Sequence, residues 1–272
     1  MGLEIIRAVQ GWSTPALDLF FVGVTMLGSE ELFLVIVSLV YWLGDRRLGL
    51  TLGALFCLSA LSNQMLKDLF RQPRPSPAEV RVLFAASGEG YGFPSGHTQN
   101  GTVFWGALAR HRGGGWWVLV AVVVGMIGLS RLYLGLHWPV DVLGGAGIGV
   151  ALLWAYSRLE NPGREGPVLG ILLGVAVLVC LTYRTPVAAK VGGGLAGMLV
   201  GYRLEASVAG LRPPVGWRAL ARALLGLGVL GGFQVVGGRW LPEAYGWTLV
   251  RYLALGFAGF GLLPRLFRYL GC

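Results

Sequence analysis

The chain has 272 residues, of which 55% are hydrophobic and 13% are charged, and its mean hydropathy is +0.66. This composition is too apolar for an ordinary water-soluble domain, and it indicates a protein that crosses a membrane several times. The net charge of +9 comes from Lys and Arg in short segments between apolar runs, with no basic helix or arm, so nucleic acid is not expected as a partner.

The N-terminal part of the chain includes residues 16–43, for which the pattern of apolar and polar residues allows more than one membrane topology. Residues 1–15 are amphipathic and are expected to lie on the membrane surface, and the flanking sequence does not fit a cleaved signal peptide. Residues 16–43 hold two apolar runs of about half a bilayer each, separated by the acidic break at residues 28–31. We interpret them as one long, kinked span, with a re-entrant piece followed by a short span as the alternative.

The rest of the chain alternates long apolar runs with short polar segments, which predicts a series of further spans. The predicted spans are 48–69, 96–109, 116–135, 139–157, 167–183, 187–202, 219–236 and 246–263. Together with 16–43 they predict an all-α fold, a polytopic transmembrane helical bundle of about nine spans. Its 45 glycines fit this class, because small residues let membrane helices approach closely.

Three polar stretches interrupt the apolar runs and carry the residues with chemical potential. They are Lys67 with Arg74-Pro75, then Pro94-Ser95-Gly96-His97, and then Ser130-Arg131 with His137 and Asp141. The second stretch precedes an apolar run, which predicts a helix start whose N–H groups and dipole favour an oxyanion. Arginine binds phosphate oxygens in bidentate fashion and lysine supplies a point charge, so the pattern indicates a phosphate site.

His137 and Asp141 are four residues apart, which is one helical turn. A carboxylate at this spacing can hold one ring nitrogen of the histidine protonated and leave the other free to attack. The spacing therefore favours an enzyme over a protein that only binds phosphate, because a binder needs the cations but no oriented nucleophile.

The three stretches together resemble the signature of the type 2 phosphatidic acid phosphatase (PAP2) superfamily, which also contains glucose-6-phosphatase and the vanadium haloperoxidases. Its pattern is Lys-x6-Arg-Pro, Pro-Ser-Gly-His and Ser-Arg-x5-His-x3-Asp, and it matches residues 67–141 in order and in internal spacing. Chance agreement of three spaced motifs is very improbable, so the resemblance is highly specific. It implies a haloperoxidase-like helical core within residues 1–159, with residues 160–272 as an additional C-terminal transmembrane block.

The resemblance also implies a role for each motif residue. His137 is the nucleophile that forms a phosphohistidine, Asp141 orients it, and His97 is the general acid that later activates water. The residues implied to bind the substrate phosphate are Lys67, Arg74, Ser95, Gly96 and Arg131. No metal and no cofactor are expected, because three cations supply the charge that a divalent ion would supply, and vanadate is expected in the same pocket.

The function expected from these features is hydrolysis of a lipid phosphate or diphosphate, with undecaprenyl diphosphate favoured. Phosphatidic acid, phosphatidylglycerol phosphate and a sphingoid-base phosphate are alternative substrates. A glucose-6-phosphatase-like enzyme and a non-catalytic lipid transporter or binding protein are the alternative functions. A haloperoxidase is disfavoured, because those relatives are soluble.

The distribution of Lys and Arg predicts the orientation in the cell membrane. The two sides of the predicted spans carry twelve and ten of the 22 basic residues, and the contrast becomes twelve against seven without Lys67, Arg74 and Arg131. The side that carries more positive charge is expected to be cytoplasmic. This places the N-terminus and the three motifs on the extracytoplasmic face, while the oligomeric state stays open.

Overall fold

The computed structural model describes residues 2–159, 174, 178–179, 182–206, 213–242 and 244–271, and all regular secondary structure in these ranges is helical. The all-α prediction is therefore confirmed for the described part of the chain. The α-helices are α1 (Gly2–Gln10), α2 (Pro15–Met26), α3 (Glu30–Leu43), α4 (Arg46–Phe70), α5 (Gly96–Arg112), α6 (Trp116–Tyr133), α7 (Pro139–Leu159), α8 (Pro186–Ala206), α9 (Trp217–Trp240), α10 (Tyr245–Phe257) and α11 (Leu263–Tyr269). A 3-10 turn (Ala85–Ser87) lies between α4 and α5, and a π-helical turn (Ala258–Leu262) joins α10 to α11.

Helices α2 and α3 are separated at the predicted acidic break and are bent by 49° relative to one another. A side-chain oxygen caps the N-terminal turn of each of the two helices. Thr14 Oγ1 accepts a hydrogen bond from Leu17 N–H ahead of Pro15, and Ser29 Oγ accepts one from Leu32 N–H. The bend is compatible with both topologies given above for residues 16–43, the kinked span and the re-entrant piece followed by a short span.

Five helical segments in the described ranges are long and apolar enough to cross a membrane, or six if α2 and α3 form one span. The five are α4, α6, α7, α9 and the continuous segment Tyr245–Tyr269. The count of nine is not confirmed. Helices α5 and α8 form where spans were predicted but are not among the five. Helix α5 has 17 residues and begins with a polar motif. The predicted span 167–183 lies mostly outside the described residues.

The chain forms two compact units. The first comprises Met1–Phe33 and Ser59–Arg158, and the second comprises Leu34–Leu58 and Leu159–Cys272. All the residues that the sequence analysis assigned to the phosphate site belong to the first unit. The division at residue 159 into a core and a C-terminal block stays a prediction.

Helix α5 is the buried centre of the first unit. It is buried along most of its length from Thr98 to Ala109. Helix α7 approaches it through glycines: a Cβ added at Gly145 would lie 2.6 Å from Ser95 O, and one at Gly149 would lie 2.6 Å from Thr102 Cβ. This close approach brings the N-terminal ends of α5 and α7 together, and both ends carry motif residues.

In the second unit, α8 packs against α10 and the π-helical turn through glycines spaced four residues apart. A Cβ added at Gly193, Gly197 or Gly201 would come within 3 Å of backbone atoms of the facing segment. Such a small-residue face permits close helix packing in a membrane. Buried Glu205 of α8 pairs with Arg46 of α4, which neutralises a carboxylate that would otherwise be costly inside an apolar bundle.

Candidate active site

The predicted site residues lie at helix ends, where the polar motifs interrupt the apolar runs. Lys67 and Arg131 lie in the last turns of α4 and α6. Ser95 is the residue immediately before α5, so Gly96 and His97 are its first two residues. His137 lies two residues before α7, and Asp141 lies in the first turn of that helix.

His137 and Asp141 form a buried pair. Nδ1 of His137 lies 3.2 Å from Oδ2 of Asp141, and the two side chains are 1% and 0% exposed. The same Oδ2 accepts a hydrogen bond from the Trp138 N–H at 2.9 Å. The Asp141 carboxylate therefore has a fixed orientation, and it fixes the plane of the imidazole ring in turn.

The guanidinium of Arg74 covers the opposite side of the imidazole ring. Its Nη1 lies 2.9 Å from Nε2 of His137 and also donates to Leu136 O at 2.6 Å. A guanidinium can only donate, so Nε2 is the acceptor and the ring proton resides on Nδ1, facing Asp141. The contacts therefore favour the tautomer in which Nδ1 is protonated and Nε2 carries the lone pair.

Arg74 also binds backbone carbonyl groups of the segment that joins α4 to α5. Its Nε donates to Gly90 O and its Nη2 donates to Glu89 O, each at 2.9 Å. Burial lowers the pKa of Arg74, and the nearby carboxylate of Asp141 partly offsets this effect. Arg74 nevertheless stays cationic at neutral pH, because the ordinary pKa of an arginine side chain lies far above neutrality.

The pKa of His137 lies well below its usual range. Burial is the main cause, and the positive charges of Arg131, Arg74 and Lys67 act in the same direction. The ring of His137 is therefore neutral at pH 7, which is the form that a nucleophile requires.

Arg131 is fully buried and is held by two residues that the sequence analysis did not identify. Its Nη1 donates to Thr25 Oγ1 at 2.8 Å and to Ser87 Oγ at 2.7 Å, and its Nη2 donates to Ser87 O at 2.6 Å. Thr25 is an isolated polar residue near the end of an apolar run, and Ser87 contributes partly through its backbone. Neither gives a sequence signal that would have found it.

The N-terminal turn of α5 provides the expected place for an anion. Its first N–H groups have no acceptor within the helix, and the positive end of the helix dipole lies there. Ser95 does not cap this turn: its Oγ lies 3.0 Å from Thr98 Oγ1, and its own N–H donates to Asp141 O at 2.9 Å. The second contact joins the second motif directly to the third.

A polar network between α4 and α5 supports this turn. Gln99 donates to Ser59 O and to Ser62 Oγ at 3.0 Å each and accepts from Asn63 Nδ2 at 2.9 Å. Asn63 Nδ2 also lies 3.2 Å from Pro94 O. Ser59, Ser62 and Asn63 form a polar face at helical spacing inside an apolar run, which is a signal that sequence reasoning could have used.

The remaining predicted site residues are Lys67 and His97. The structure shows no hydrogen bond from either side chain to the other described residues. The charges of Lys67 and Arg131 nevertheless act on His97, and those of Arg74 and Arg131 act on Lys67. The arrangement is a cluster of three cations around two histidines, and it can hold a phosphate beside a nucleophile and a proton donor.

Comparison with known proteins shows which family the two parts of the chain match. Residues 48–164 match the sequence model of the PAP2 superfamily, and residues 189–272 match that of the transmembrane extension of PAP2 superfamily phosphatases. Lipid phosphate phosphatase delta of Arabidopsis thaliana is 29% identical over 179 residues, which cover 59% of this chain and 42% of that protein. A dihydrosphingosine 1-phosphate phosphatase of Schizosaccharomyces pombe is 29% identical over 182 residues, which cover 59% and 44%.

These alignments span less than half the length of the two relatives. A crystal structure of a transmembrane PAP2-type phosphatidylglycerolphosphate phosphatase from Bacillus subtilis has a similar fold, with a TM-score of 0.51 and 24% identity, covering 61% of this chain and 87% of that one. The chain therefore carries a PAP2 superfamily domain over residues 48–164 and the transmembrane extension of PAP2 superfamily phosphatases over residues 189–272.

Proposed function

We propose that this protein is a membrane lipid phosphatase that works without a metal through a phosphohistidine on His137. The observation that carries this proposal is the placement of His137 between a donor and an acceptor. Arg74 lies 2.9 Å from Nε2, and Asp141 lies 3.2 Å from Nδ1. The ring is neutral and its Nε2 lone pair faces the guanidinium, so a phosphate that replaces this contact and binds the guanidinium would place its phosphorus in front of Nε2.

In the first step, Nε2 of His137 attacks the phosphorus in line with the leaving oxygen of the lipid. An N–P bond forms, the P–O bond breaks, and its electron pair leaves with the lipid oxygen. His97 gives that oxygen a proton. The negative charge of the bound phosphate favours the protonated form of His97 against the three nearby cations.

In the second step, water attacks the phosphohistidine and His97 takes the proton from that water. The N–P bond breaks, inorganic phosphate is released and His137 returns to its neutral form. In both steps the equatorial oxygens of the phosphate are stabilised by three cations, Lys67, Arg74 and Arg131. Further hydrogen-bond donors at the N-terminal end of α5 are Ser95 and the Gly96 N–H. Asp141 keeps Nδ1 protonated throughout.

The surroundings of the site support a lipid as the substrate. The first and third motifs lie at the ends of α4, α6 and α7, which are long enough to cross a membrane, so a lipid can present its phosphate without leaving the bilayer. The names of the Arabidopsis and Schizosaccharomyces relatives also indicate lipid phosphates. We favour undecaprenyl diphosphate, with a sphingoid-base phosphate as the alternative that the second relative supports. We place the site on the extracytoplasmic face.

The test is phosphate release by the detergent-purified protein with EDTA present. The panel comprises undecaprenyl diphosphate, dihydrosphingosine 1-phosphate, phosphatidic acid, phosphatidylglycerol phosphate and glucose 6-phosphate. The proposal predicts release from at least one lipid, at an unchanged rate with EDTA, and slower release from glucose 6-phosphate. Tight binding of a lipid phosphate without any release would support a binding or transport protein, and loss of release with EDTA would contradict metal-independence.

A further inference from the structure

Arg131 uses only part of its hydrogen-bonding capacity within the protein. A guanidinium has five N–H groups, and three of these donate to Thr25 and Ser87. The Nε–H is buried and finds no acceptor among the described residues. A buried, unsatisfied N–H of a charged group is costly, so its presence indicates a place prepared for a ligand.

The two remaining N–H groups lie on one edge of the guanidinium. Nη1 has both of its hydrogens engaged by Thr25 and Ser87. Nη2 has one hydrogen engaged by Ser87 O. This leaves the Nε–H and one Nη2–H, and the Nε–Nη2 edge is a planar fork that matches two oxygens of a phosphate.

We propose that Thr25 and Ser87 are positioning residues that hold Arg131 with its Nε–Nη2 edge presented to the substrate phosphate. The inference rests on the proposed function and extends it to residues outside the three motifs. Thr25 and Ser87 act on the phosphate only through Arg131.

Thr25 has the rigidity that this role requires. It is 0% exposed, and it lies one helical turn after Phe21. Phe21 stacks on Tyr133 of α6 with ring centroids 4.2 Å apart. Because Arg131 and Tyr133 share the last turn of α6, this aromatic contact fixes the Thr25 hydroxyl relative to the arginine.

Ser87 approaches Arg131 from the segment between α4 and α5. It is the last residue of the 3-10 turn, and it accepts through both its hydroxyl and its carbonyl. The next residue, Gly88, packs against Leu136, since a Cβ added there would lie 2.6 Å from Leu136 Cδ2. Two separate elements, α2 and this turn, therefore hold one guanidinium from two sides.

The test measures the binding of orthovanadate and of inorganic phosphate by calorimetry, alongside kcat/KM on the best lipid substrate. Thr25→Val should weaken orthovanadate binding about tenfold, because a charge-assisted hydrogen bond that orients the ligand fork is lost. Thr25→Ser keeps the hydroxyl and should stay within about twofold of wild type. Thr102→Val is the matched control, because Thr102 is also a buried helical threonine but donates only to Thr98 O; it should bind like wild type.

The decisive comparison repeats Thr25→Val in an Arg131→Lys background. Lysine has no planar fork to orient, so Thr25→Val should then change orthovanadate binding by less than about twofold. Equal losses in both backgrounds, or a loss in Thr102→Val as large as in Thr25→Val, would overturn the proposal.

Ser87→Ala covers the case in which Thr25→Val does not fold. Ser87 lies in a connecting segment, and its substitution should weaken orthovanadate binding in the same direction, with the same dependence on Arg131. Wild-type binding in Ser87→Ala would contradict its part of the inference. Absence of lipid hydrolysis by the wild-type protein would count against the proposed function alone, because orthovanadate binding is measured without turnover.

Discussion

Arg74 lies against Nε2 of His137, the atom that we propose as the nucleophile, with Nη1 2.9 Å away. The same guanidinium is held by the carbonyls of Glu89, Gly90 and Leu136. The proposed in-line attack requires the Nε2 lone pair, so in this mechanism Arg74 exchanges the contact for a phosphate oxygen when substrate binds. We therefore predict that the substrate phosphate replaces the hydrogen bond between Arg74 and Nε2 of His137.

Titration of His137 checks this relationship. The pKa of His137 is lowered by burial first and by the positive charges of Arg131, Arg74 and Lys67 next. The neutral, nucleophilic form therefore persists as the pH falls below about 6.5, and the acid limb of kcat/KM, which reports the free enzyme, should lie below that pH. Arg74→Gln removes one positive charge and the donor to Nε2, so it should move the His137 pKa upward.

NMR of ¹⁵N-histidine-labelled protein in detergent measures this directly, because the chain has only three histidines. The wild-type spectrum should show His137 protonated on Nδ1 at pH 7. Arg112→Gln at the far end of α5 is the matched control and should leave the His137 signal unchanged. An Nε2-protonated His137, or a downward shift in Arg74→Gln, would contradict the assigned contact.

Asp141→Asn tests the orienting carboxylate. The amide keeps the size of the side chain but loses the charge that stabilises the Nδ1–H tautomer, so kcat should fall by at least about 100-fold. Asp45→Asn is the matched control, because Asp45 accepts from the N–H groups of Arg47 and Leu48 at the start of α4. It should keep wild-type kcat. Comparable kcat in Asp141→Asn and wild type would remove Asp141 from the mechanism.

The sequence predicted the helix ends that carry the motifs, because short polar stretches between long apolar runs leave few alternatives. It did not predict the support of Arg131. Thr25 is 106 residues away from it in the chain, and Ser87 contributes a carbonyl whose position depends on the backbone of a connecting segment. Contacts of this kind follow from tertiary packing, and no periodic pattern encodes them.

Aromatic residues around the motifs suggest how a lipid reaches the site. Six aromatic residues lie in or near the motifs in the sequence and are candidates for contact with the lipid: Phe70, Phe84, Tyr91, Phe93, Tyr133 and Trp138. Tyr133 does not fit this role, because it is 1% exposed and its hydroxyl donates to Asp18 at 2.6 Å. Phe70 is 56% exposed and packs edge-to-face on Phe93 with centroids 5.0 Å apart.

Lateral entry of the lipid between helices predicts that kcat/KM rises with tail length for a constant headgroup. Pulling a tail into water costs about 0.8 kcal/mol for each exposed CH₂, so a route that keeps the tail in the bilayer is favoured. Phe93→Ala and Trp138→Ala should lower kcat/KM more for long-chain substrates than for a soluble short-chain analogue. Trp117→Ala, at the opposite end of α6, is the control. Equal losses for both substrate types would exclude this route.

The orientation in the membrane is tested by cysteine labelling in intact cells. Cys57, Cys180 and Cys272 are first replaced, and single cysteines are then placed at Ala86 and at Gly115. Both positions are exposed, and a side chain at Gly115 meets no other atom within 4 Å. An impermeant thiol reagent should modify the cysteine at 86 and not the one at 115. The reverse result would place the active site on the cytoplasmic face.

The most direct test of the central claim is to trap the covalent intermediate and locate it. Purified protein is mixed with its best lipid substrate and quenched rapidly under alkaline conditions, and the peptides are analysed by mass spectrometry. We predict a phosphoryl group on His137 in the wild-type protein, more of it in His97→Ala if the second step is slowed further than the first, and none in His137→Ala. Full turnover by His137→Ala, or a phosphoryl group found on another residue, would contradict the account.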